Sequence, residues 1–228
     1  MSVESPIQLE FSSKYDSAHA QQYFVKHQDG WARRLSNMRD QQLARRALAI
    51  AGDPGLVLDL PCGAGRFWPT LAEKSNRVIL AADNSADMLT VARRAQPENV
   101  LARVHTFQAS AFAIDLGNAA VDCIFCMRLL HHVADPAHRL AMLREFHRVT
   151  RDTVIVSLWV DGNFKSWRRK RLEKRRAARG GNENQNRFVV ARHTIEAEFA
   201  EAGFEIIGAQ DFLPGYAMWR VYTLRKTS

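Results

Sequence analysis

The chain has 228 residues, 46% of them hydrophobic and 25% charged, which is typical of a globular protein with a buried core. No apolar run approaches the roughly 20 residues that a transmembrane helix requires, and the first residues lack a basic and apolar signal pattern. The three cysteines, an odd number, argue against a disulfide framework. We therefore expect a cytoplasmic protein without a transmembrane segment.

The net charge of +8 is concentrated in one segment. Nine lysines and arginines lie between Lys165 and Arg179 against the single acid Glu173, which equals the whole positive surplus of the chain. The composition predicts a helix that Gly180-Gly181 would end. Three roles stay open for it: a solvated arm, an attractor for an anionic substrate or lipid surface, or a guide to RNA.

Apolar runs alternate along the chain with segments of helical period. The predicted helices cover 31–50, 66–74, 85–94, 136–149 and 191–202, and the predicted strands cover 56–60, 77–82, 101–107, 121–127, 153–159, 204–209 and 218–224. This succession requires a doubly wound, mostly parallel α/β sheet with helices on both faces. We expect a helical cap over 1–54, then one domain over 55–228 that carries a basic insertion at 161–187.

A Cys-x-x-Cys pattern, Cys123 and Cys126, lies inside the fourth predicted strand. Residues three apart on a strand point to opposite faces, so the two sulfurs should not meet. The chain also lacks a second Cys or His pair at zinc-finger spacing. We interpret both residues as buried structural cysteines and expect no metal site.

A tight glycine turn follows the first predicted strand and connects it to a helix. The strand ends at Asp59, and the turn reads Pro61-Cys62-Gly63-Ala64-Gly65. Such a turn brings backbone close to a nucleotide-like ligand. A dinucleotide fingerprint would need a third glycine where Trp68 stands, so NAD is the weaker candidate.

These residues resemble the class I S-adenosylmethionine-dependent methyltransferases, whose first strand is followed by an acid and a glycine-rich turn. Asp83 lies 20 positions after Gly63 and matches the family's ribose-binding acid, with Met88 in the helix behind it. Pro61 stands where the family often has glycine. Since proline fixes φ near −65°, the match requires that this position has a negative φ.

Two further stretches are similar to the family. Ser110-Ala111-Phe112 occupies the adenine-flanking turn, with Ser110 in place of the common acid, and Leu130-His131-His132 resembles the small-molecule branch, which includes quinone-ring methyltransferases. The resemblance implies a seven-stranded Rossmann-like sheet with an antiparallel last strand, and S-adenosyl-L-methionine as cofactor. The cofactor-binding residues that it implies are Asp59, Pro61, Cys62, Gly63, Ala64, Gly65, Asp83, Asn84, Met88, Ser110, Ala111, Phe112, Met127 and Arg128.

Methyl transfer from a sulfonium mainly requires alignment of the acceptor and exclusion of water, and a general base helps when the acceptor is a hydroxyl or an acidic C–H. His132 and, second to it, His131 are the candidate bases, although either could instead bond the backbone of the turn. We expect methyl transfer to oxygen or carbon of a small or lipid-like metabolite, including an anionic one. The alternatives are an RNA methyltransferase that uses 165–179 and an inactive cofactor-binding scaffold. The oligomeric state stays open.

Overall fold

The computed structural model describes residues 31–177 and 186–227, and every structural statement below concerns these residues. Seven strands form one sheet in the order β3-β2-β1-β4-β5-β7-β6. The strands are β1 Leu56–Asp59, β2 Val78–Asp83, β3 Val104–Gln108, β4 Val121–Cys126, β5 Thr150–Trp159, β6 Phe204–Asp211 and β7 Trp219–Lys226. The helices are α1 Trp31–Ile50, α2 Trp68–Leu71, α3 Ala86–Ala95, α4 Glu98–Leu101, α5 Pro136–Val149, α6 Phe164–Ala177 and α7 Arg192–Glu201.

The strand directions confirm the predicted fold class. β3, β2, β1, β4 and β5 are mutually parallel, and β7 is antiparallel to both β5 and β6. The chain moves outward from β1 to β3 and then returns to place β4 on the other side of β1. Ligands of doubly wound sheets bind at this switch point, beyond the carboxyl ends of β1 and β4.

Two apolar layers cover the two faces of the sheet. On one face, Val57, Cys123 and Phe125 pack with α1, α2 and α3. On the other, Leu58 and Cys126 pack with α5 and α7. Cys123 and Cys126 are therefore free, buried and on opposite faces, as the alternation of strand side chains predicts.

Helix termini follow their sequence signals where a capping side chain is present. Ser85 accepts a hydrogen bond from the Met88 N–H at the start of α3, and Asp135 accepts one from the Ala137 N–H at the start of α5. Gly203 follows α7 with a φ of +83°. These three boundaries were predicted correctly.

Three predicted elements differ from the structure by three residues at one end, and one of them is β5, which begins at Thr150 instead of at 153. The helix predicted over 66–74 is only the single turn α2; the chain turns after it, and the guanidinium of Arg103 bonds the carbonyls of Ala72, Lys74 and Arg77 in this turn. The strand predicted over 101–107 begins at Val104, because Pro97 starts the short helix α4.

The division at residue 54 stays a prediction. The described part of the predicted cap, α1, packs Leu43, Ala47 and Leu48 against the sheet and thus shares the core of the larger domain. Within the described residues, no helix is long and apolar enough to cross a membrane.

Candidate functional site

The glycine turn closes the carboxyl end of β1 against β2. The Cys62 N–H donates to the Ala82 carbonyl at 2.8 Å, and the Gly65 N–H donates to the Cys62 carbonyl at 3.0 Å. Gly63 and Gly65 have φ of +54° and +70°, whereas Pro61 is not among the residues with positive φ. The condition that the resemblance set for Pro61 is therefore met.

Trp68 stands where a dinucleotide fingerprint has its third glycine, and it also requires glycine at position 65. Its indole is fully buried, and a Cβ on Gly65 would lie 2.8 Å from an indole carbon. Its Nε1–H donates to Asp59 Oδ2 at 3.1 Å. The position that a dinucleotide fingerprint reserves for glycine is thus filled by a side chain that orients the Asp59 carboxylate.

Asp83 ties the turn to the start of α3. One carboxylate oxygen accepts the Gly63 N–H and the other accepts the Ser85 N–H, each at 2.9 Å. A carboxylate oxygen has two acceptor sites, so both oxygens can still accept from a pair of ligand hydroxyls. Met88 lies buried beside Gly63, and Asn84 is exposed with its carbonyl accepting from Gln108.

The two buried carboxyls at this end of the sheet, those of Asp59 and Asp83, have raised pKa values. Burial raises the pKa of Asp59 well above its ordinary value, and it also raises the pKa of Asp83, against the effect of the backbone N–H donors. Burial and these two carboxyls raise the pKa of the Cys62 thiol. A cationic ligand beside Asp59 and Asp83 would stabilise their ionised forms. These two hydrogen-bond acceptors therefore fit a ligand that carries hydroxyls and positive charge.

The turn after β3 lies at the same end of the sheet as the glycine turn and Asp83. Ser110 bridges to Ala113, and its Oγ accepts the Phe112 N–H at 3.2 Å. Ala111 is buried, and the half-buried Phe112 ring contacts the edge of His138 at 6.3 Å between centroids. The structure therefore brings the predicted residues of β1, β2 and β3 to one end of the sheet.

A buried acid on α1 joins this edge to the end of β4. Asp40, 5% exposed, accepts from Arg66 at 2.6 Å and also from the Arg128 guanidinium. The Arg128 N–H donates to Ser157 Oγ at 2.8 Å, and its φ is +65°. Met127 beside it is buried. The sequence analysis missed Asp40 and Arg66, because no local pattern marks contacts across 26 and 88 positions.

The two candidate bases lie in a 3₁₀ turn, Leu130–His132, with their rings 4.0 Å apart. His131 is 3% exposed, and burial, with smaller effects of His132 and nearby arginines, lowers its pKa to about 2. His132 is half-buried, its Nδ1 lies 2.5 Å from the Asn186 carbonyl oxygen, and burial lowers its pKa. The two neighbours therefore differ in access, which the sequence could not reveal.

Beyond these histidines lies a group of side chains that we call the aromatic–arginine cluster: Trp159, Trp219, His131, Arg128, Arg169 and Arg187. The two indoles close the paired ends of β5 and β7, 5.6 Å apart between centroids. Arg169 and Arg187 lie over the Trp159 ring at 5.0 and 5.9 Å, and Arg128 lies over Trp219 at 4.9 Å. The sequence analysis missed both tryptophans, since β5 and β7 meet only in the sheet.

The helix α6 carries the basic segment past this cluster. Asn163 and Ser166 bond each other's backbone N–H groups and fix its start. Phe164 and Trp167, 49% and 56% exposed, lie on its outer side, where Phe164 stacks on Tyr216. The predicted helix is confirmed to Ala177, and the rest of the segment up to 185 lies outside the described residues.

Comparison with known proteins shows similarity to methyltransferases. Residues 57–153 match the family described as "Methyltransferase domain". The chain is 28% identical over 142 residues to the ubiquinone biosynthesis O-methyltransferase of Pasteurella multocida, covering 58% of this chain and 57% of that protein. It is 33% identical over 105 residues to the dTDP-3-amino-3,6-dideoxy-alpha-D-glucopyranose N,N-dimethyltransferase of Streptomyces fradiae, covering 45% and 39%. The chain thus spans less than two thirds of these relatives.

The fold is shared over nearly the whole chain with a solved methyltransferase. Magnesium protoporphyrin IX methyltransferase from Synechocystis PCC 6803, solved with bound SAH, superposes with a TM-score of 0.75 at 17% identity and covers 94% of this chain and 97% of its own. The match over residues 57–153 to a methyltransferase domain agrees with the resemblance to the class I S-adenosylmethionine-dependent methyltransferases, and the fold shared with a methyltransferase solved with bound SAH agrees with the cofactor that the sequence predicted.

Proposed function

We propose that this chain transfers the methyl group of S-adenosylmethionine to a small-molecule acceptor bound at the ends of β4 and β5. The observation that carries the proposal is the pair of buried carboxyls, Asp59 and Asp83, on the two sides of the glycine turn. Their raised pKa values favour a ligand that brings positive charge, as a sulfonium with an ammonium group does.

Different residues at the carboxyl ends of the strands would bind different parts of the methyl donor. Asp83 would accept from the two ribose hydroxyls, and the turn at Gly63 and Gly65 would let backbone approach the ligand closely. Ser110 would accept from the adenine amino group, with Phe112 beside the ring. When bound, the cofactor supplies an electrophilic methyl group on sulfur.

The acceptor would lie between Arg128 and the histidine turn. His132 is the better candidate to receive its proton, because His131, with a pKa of about 2, is too weak a base near neutral pH. The buried aromatic walls of Trp159 and His131 would exclude water from the reacting atoms. His132 therefore remains the proposed base and His131 a neutral wall.

The test is transfer of labelled methyl from S-adenosylmethionine into fractionated cell extract, with small molecules and RNA counted separately. We expect label in the small-molecule fraction, at least ~10-fold reduced in His132→Ala. Label in RNA would instead support the alternative that uses the basic helix. Absence of label from every fraction would favour a cofactor-binding scaffold and contradict the proposal.

A further inference from the structure

A group of exposed apolar side chains lies where α6 begins, outside the aromatic–arginine cluster. Phe164, Trp167, Leu213 and Tyr216 are each between 47% and 56% exposed. The Phe164 ring stacks on the Tyr216 ring at 5.9 Å between centroids and lies 6.0 Å from the Trp167 ring. Single exposed apolar residues are normal, whereas contiguous ones surrounded by polar side chains mark an interaction surface.

Backbone hydrogen bonds hold these side chains on one rigid base. The Phe164 and Lys165 N–H groups donate to the carbonyls of Gly215 and Tyr216, at 2.9 and 3.0 Å. The Tyr216 N–H donates in turn to the Leu213 carbonyl at 3.2 Å. The first turn of α6 and the connection between β6 and β7 therefore form one unit, which limits the entropy lost when a partner binds.

Exposed cations surround the rings. Lys165 Nζ lies 5.1 Å from the centre of the Tyr216 ring, and the Arg171 guanidinium lies 5.5 Å from the centre of the Trp167 ring. Residues 162–172 and 212–218 contain five lysines and arginines and no aspartate or glutamate. The surface around the rings is therefore positively charged.

The acids closest in sequence to these cations pair with other side chains of α6. Glu173 pairs with Arg169 at 2.7 Å, and Asp161 pairs with Lys170 at 3.2 Å. Among the residues that the structure describes, five exposed cations of α6 have no carboxylate partner: Lys165, Arg168, Arg171, Lys174 and Arg175. An anionic partner would complement this charge.

We propose that this basic aromatic surface binds the surface of a membrane that contains anionic lipids. It consists of Phe164, Trp167, Leu213, Tyr216 and the five cations of α6. The cations attract the phosphates of the lipid headgroups. The rings and the leucine side chain enter the boundary between headgroups and acyl chains, where aromatic side chains are enriched. The binding is peripheral, and it goes beyond methyl transfer and does not depend on it.

Two features favour a lipid surface over a nucleic acid. A base stacks on the free face of an aromatic ring. Two rings of this surface are instead contacted by neighbours, Tyr216 by Phe164 and Lys165, and Trp167 by Phe164 and Arg171. The second feature is the aliphatic Leu213, whose exposed side chain gains from burial among acyl chains and has no stacking surface to offer a base.

The basic aromatic surface lies at the same end of the sheet as the candidate site. α6 follows the carboxyl end of β5, and Leu213 and Tyr216 follow the carboxyl end of β6. β5 and β6 run in the same direction, because both are antiparallel to β7. A chain bound through this surface directs the carboxyl ends of its parallel strands toward the lipid.

The experiment measures co-sedimentation of the full chain with sucrose-loaded vesicles. One set consists of phosphatidylcholine alone, and the other of phosphatidylcholine with an equal part of phosphatidylglycerol. We expect at least ~10-fold tighter binding to the anionic vesicles, and binding that weakens as salt is added, because ions screen exposed charges. Equal binding to both sets, or no binding to either, would overturn the proposal.

Two pairs of arginine substitutions serve as test and control. Arg168→Gln with Arg171→Gln removes two cations of the surface, whereas Arg93→Gln with Arg94→Gln removes the same charge from the exposed end of α3, which packs on β2 and β3. We expect the first pair to weaken binding to anionic vesicles ~25-fold, at ~5-fold for each cation near the membrane, and the second to change it less than ~2-fold. Equal losses would show attraction by net charge alone and contradict the proposal.

Substitution of Trp167 tests the aromatic contribution. We expect Trp167→Ala to weaken vesicle binding ~10-fold and Trp167→Phe to retain most of it. The free energy of unfolding of both variants should match that of the wild type, because this side chain is more than half exposed. Unchanged vesicle binding by Trp167→Ala would overturn the insertion of the rings.

The remaining outcomes separate this proposal from its alternatives. Displacement of the vesicles by single-stranded RNA at physiological salt would assign the surface to a nucleic acid instead. Vesicle binding is measured without cofactor or acceptor, so its failure would leave the proposed methyl transfer intact. A chain that binds anionic vesicles but transfers no methyl group would refute the proposed function alone.

Discussion

Asp59 and Asp83 show how far single residues could be assigned from the sequence. Their order around Gly63 and Gly65 predicted a nucleotide-like ligand at the strand ends, and the structure brings both carboxyls to that edge. What the sequence could not give is their environment. Trp68 and the Gly63 N–H hold the carboxyls in a buried site, and burial raises both pKa values.

Replacement of Asp59 by asparagine tests that environment. An unfolded Asp has a pKa of about 3.9, and in the folded chain the Asp59 pKa is raised, so its burial destabilises the fold increasingly as pH rises through that interval. Asp59→Asn keeps an acceptor for the Trp68 N–H without the charge. We expect its free energy of unfolding, measured with urea from pH 4.5 to 7.5, to exceed that of the wild type by more as pH rises.

The exposed acid Asp87 gives the control for this series. Asp87→Asn removes the same charge without changing a buried group, and we expect it to follow the wild type across the pH range. A stability difference between Asp59→Asn and the wild type that is constant with pH, or that shrinks as pH rises, would contradict the account of Asp59.

The sequence could not distinguish the two neighbouring histidines. His131 and His132 are adjacent, and their residue type alone gives them the same expected chemistry. In the 3₁₀ turn, one ring enters the cluster of indoles and the other reaches the Asn186 carbonyl. Only the tertiary contacts of β5, β7 and residues 186–190 separate their environments.

At the scale of elements, the sequence predicted best where local chemistry decides. The caps Ser85 and Asp135 and the glycine after α7 fixed their boundaries. Beyond α2, the distant Arg103 guanidinium instead bonds the carbonyls of Ala72 and Arg77 and holds the chain in a turn. A side chain on another element is invisible to a local pattern, so this error follows from the physics of helix ends.

An ion pair between α5 and α7 was also hidden from the sequence. The Arg139 guanidinium donates to Glu198 at 2.5 and 2.7 Å and to the Ala134 carbonyl at 2.6 Å, and both side chains are buried. We expect Arg139→Ala to lower the free energy of unfolding by about 3–5 kcal/mol, because it leaves a buried carboxylate without its partner. Urea denaturation of the purified variant gives the value.

The same two helices offer a matched control. Arg144 and Glu201 also pair between α5 and α7, at 3.1 Å, but both side chains are more than half exposed. Arg144→Ala should therefore change stability little. If both alanine variants lowered the free energy of unfolding equally, burial would not be what makes the Arg139–Glu198 pair important for the fold.

For the whole molecule, the order of apolar runs and turns was sufficient to predict a doubly wound, mostly parallel sheet, whereas its antiparallel last strand was implied by the family resemblance. Right-handed crossovers between parallel strands leave few ways to connect seven strands with helices on both faces. The aromatic–arginine cluster was not predictable in this way. Trp159, Trp219, Arg169 and Arg187 come from β5, β7, α6 and the segment after it, and they meet only when the antiparallel β7 lies beside β5.

The central claim is that the edge formed by Asp59, the glycine turn and Asp83 binds S-adenosylmethionine. Titration calorimetry of the cofactor against the wild type, Asp83→Asn and the exposed control Asp87→Asn tests it most directly. We predict saturable binding to the wild type and to Asp87→Asn, and affinity at least ~10-fold lower for Asp83→Asn, which loses a charged acceptor for ligand hydroxyls. Absence of binding to the wild type, or equal affinity in Asp83→Asn, would contradict the claim.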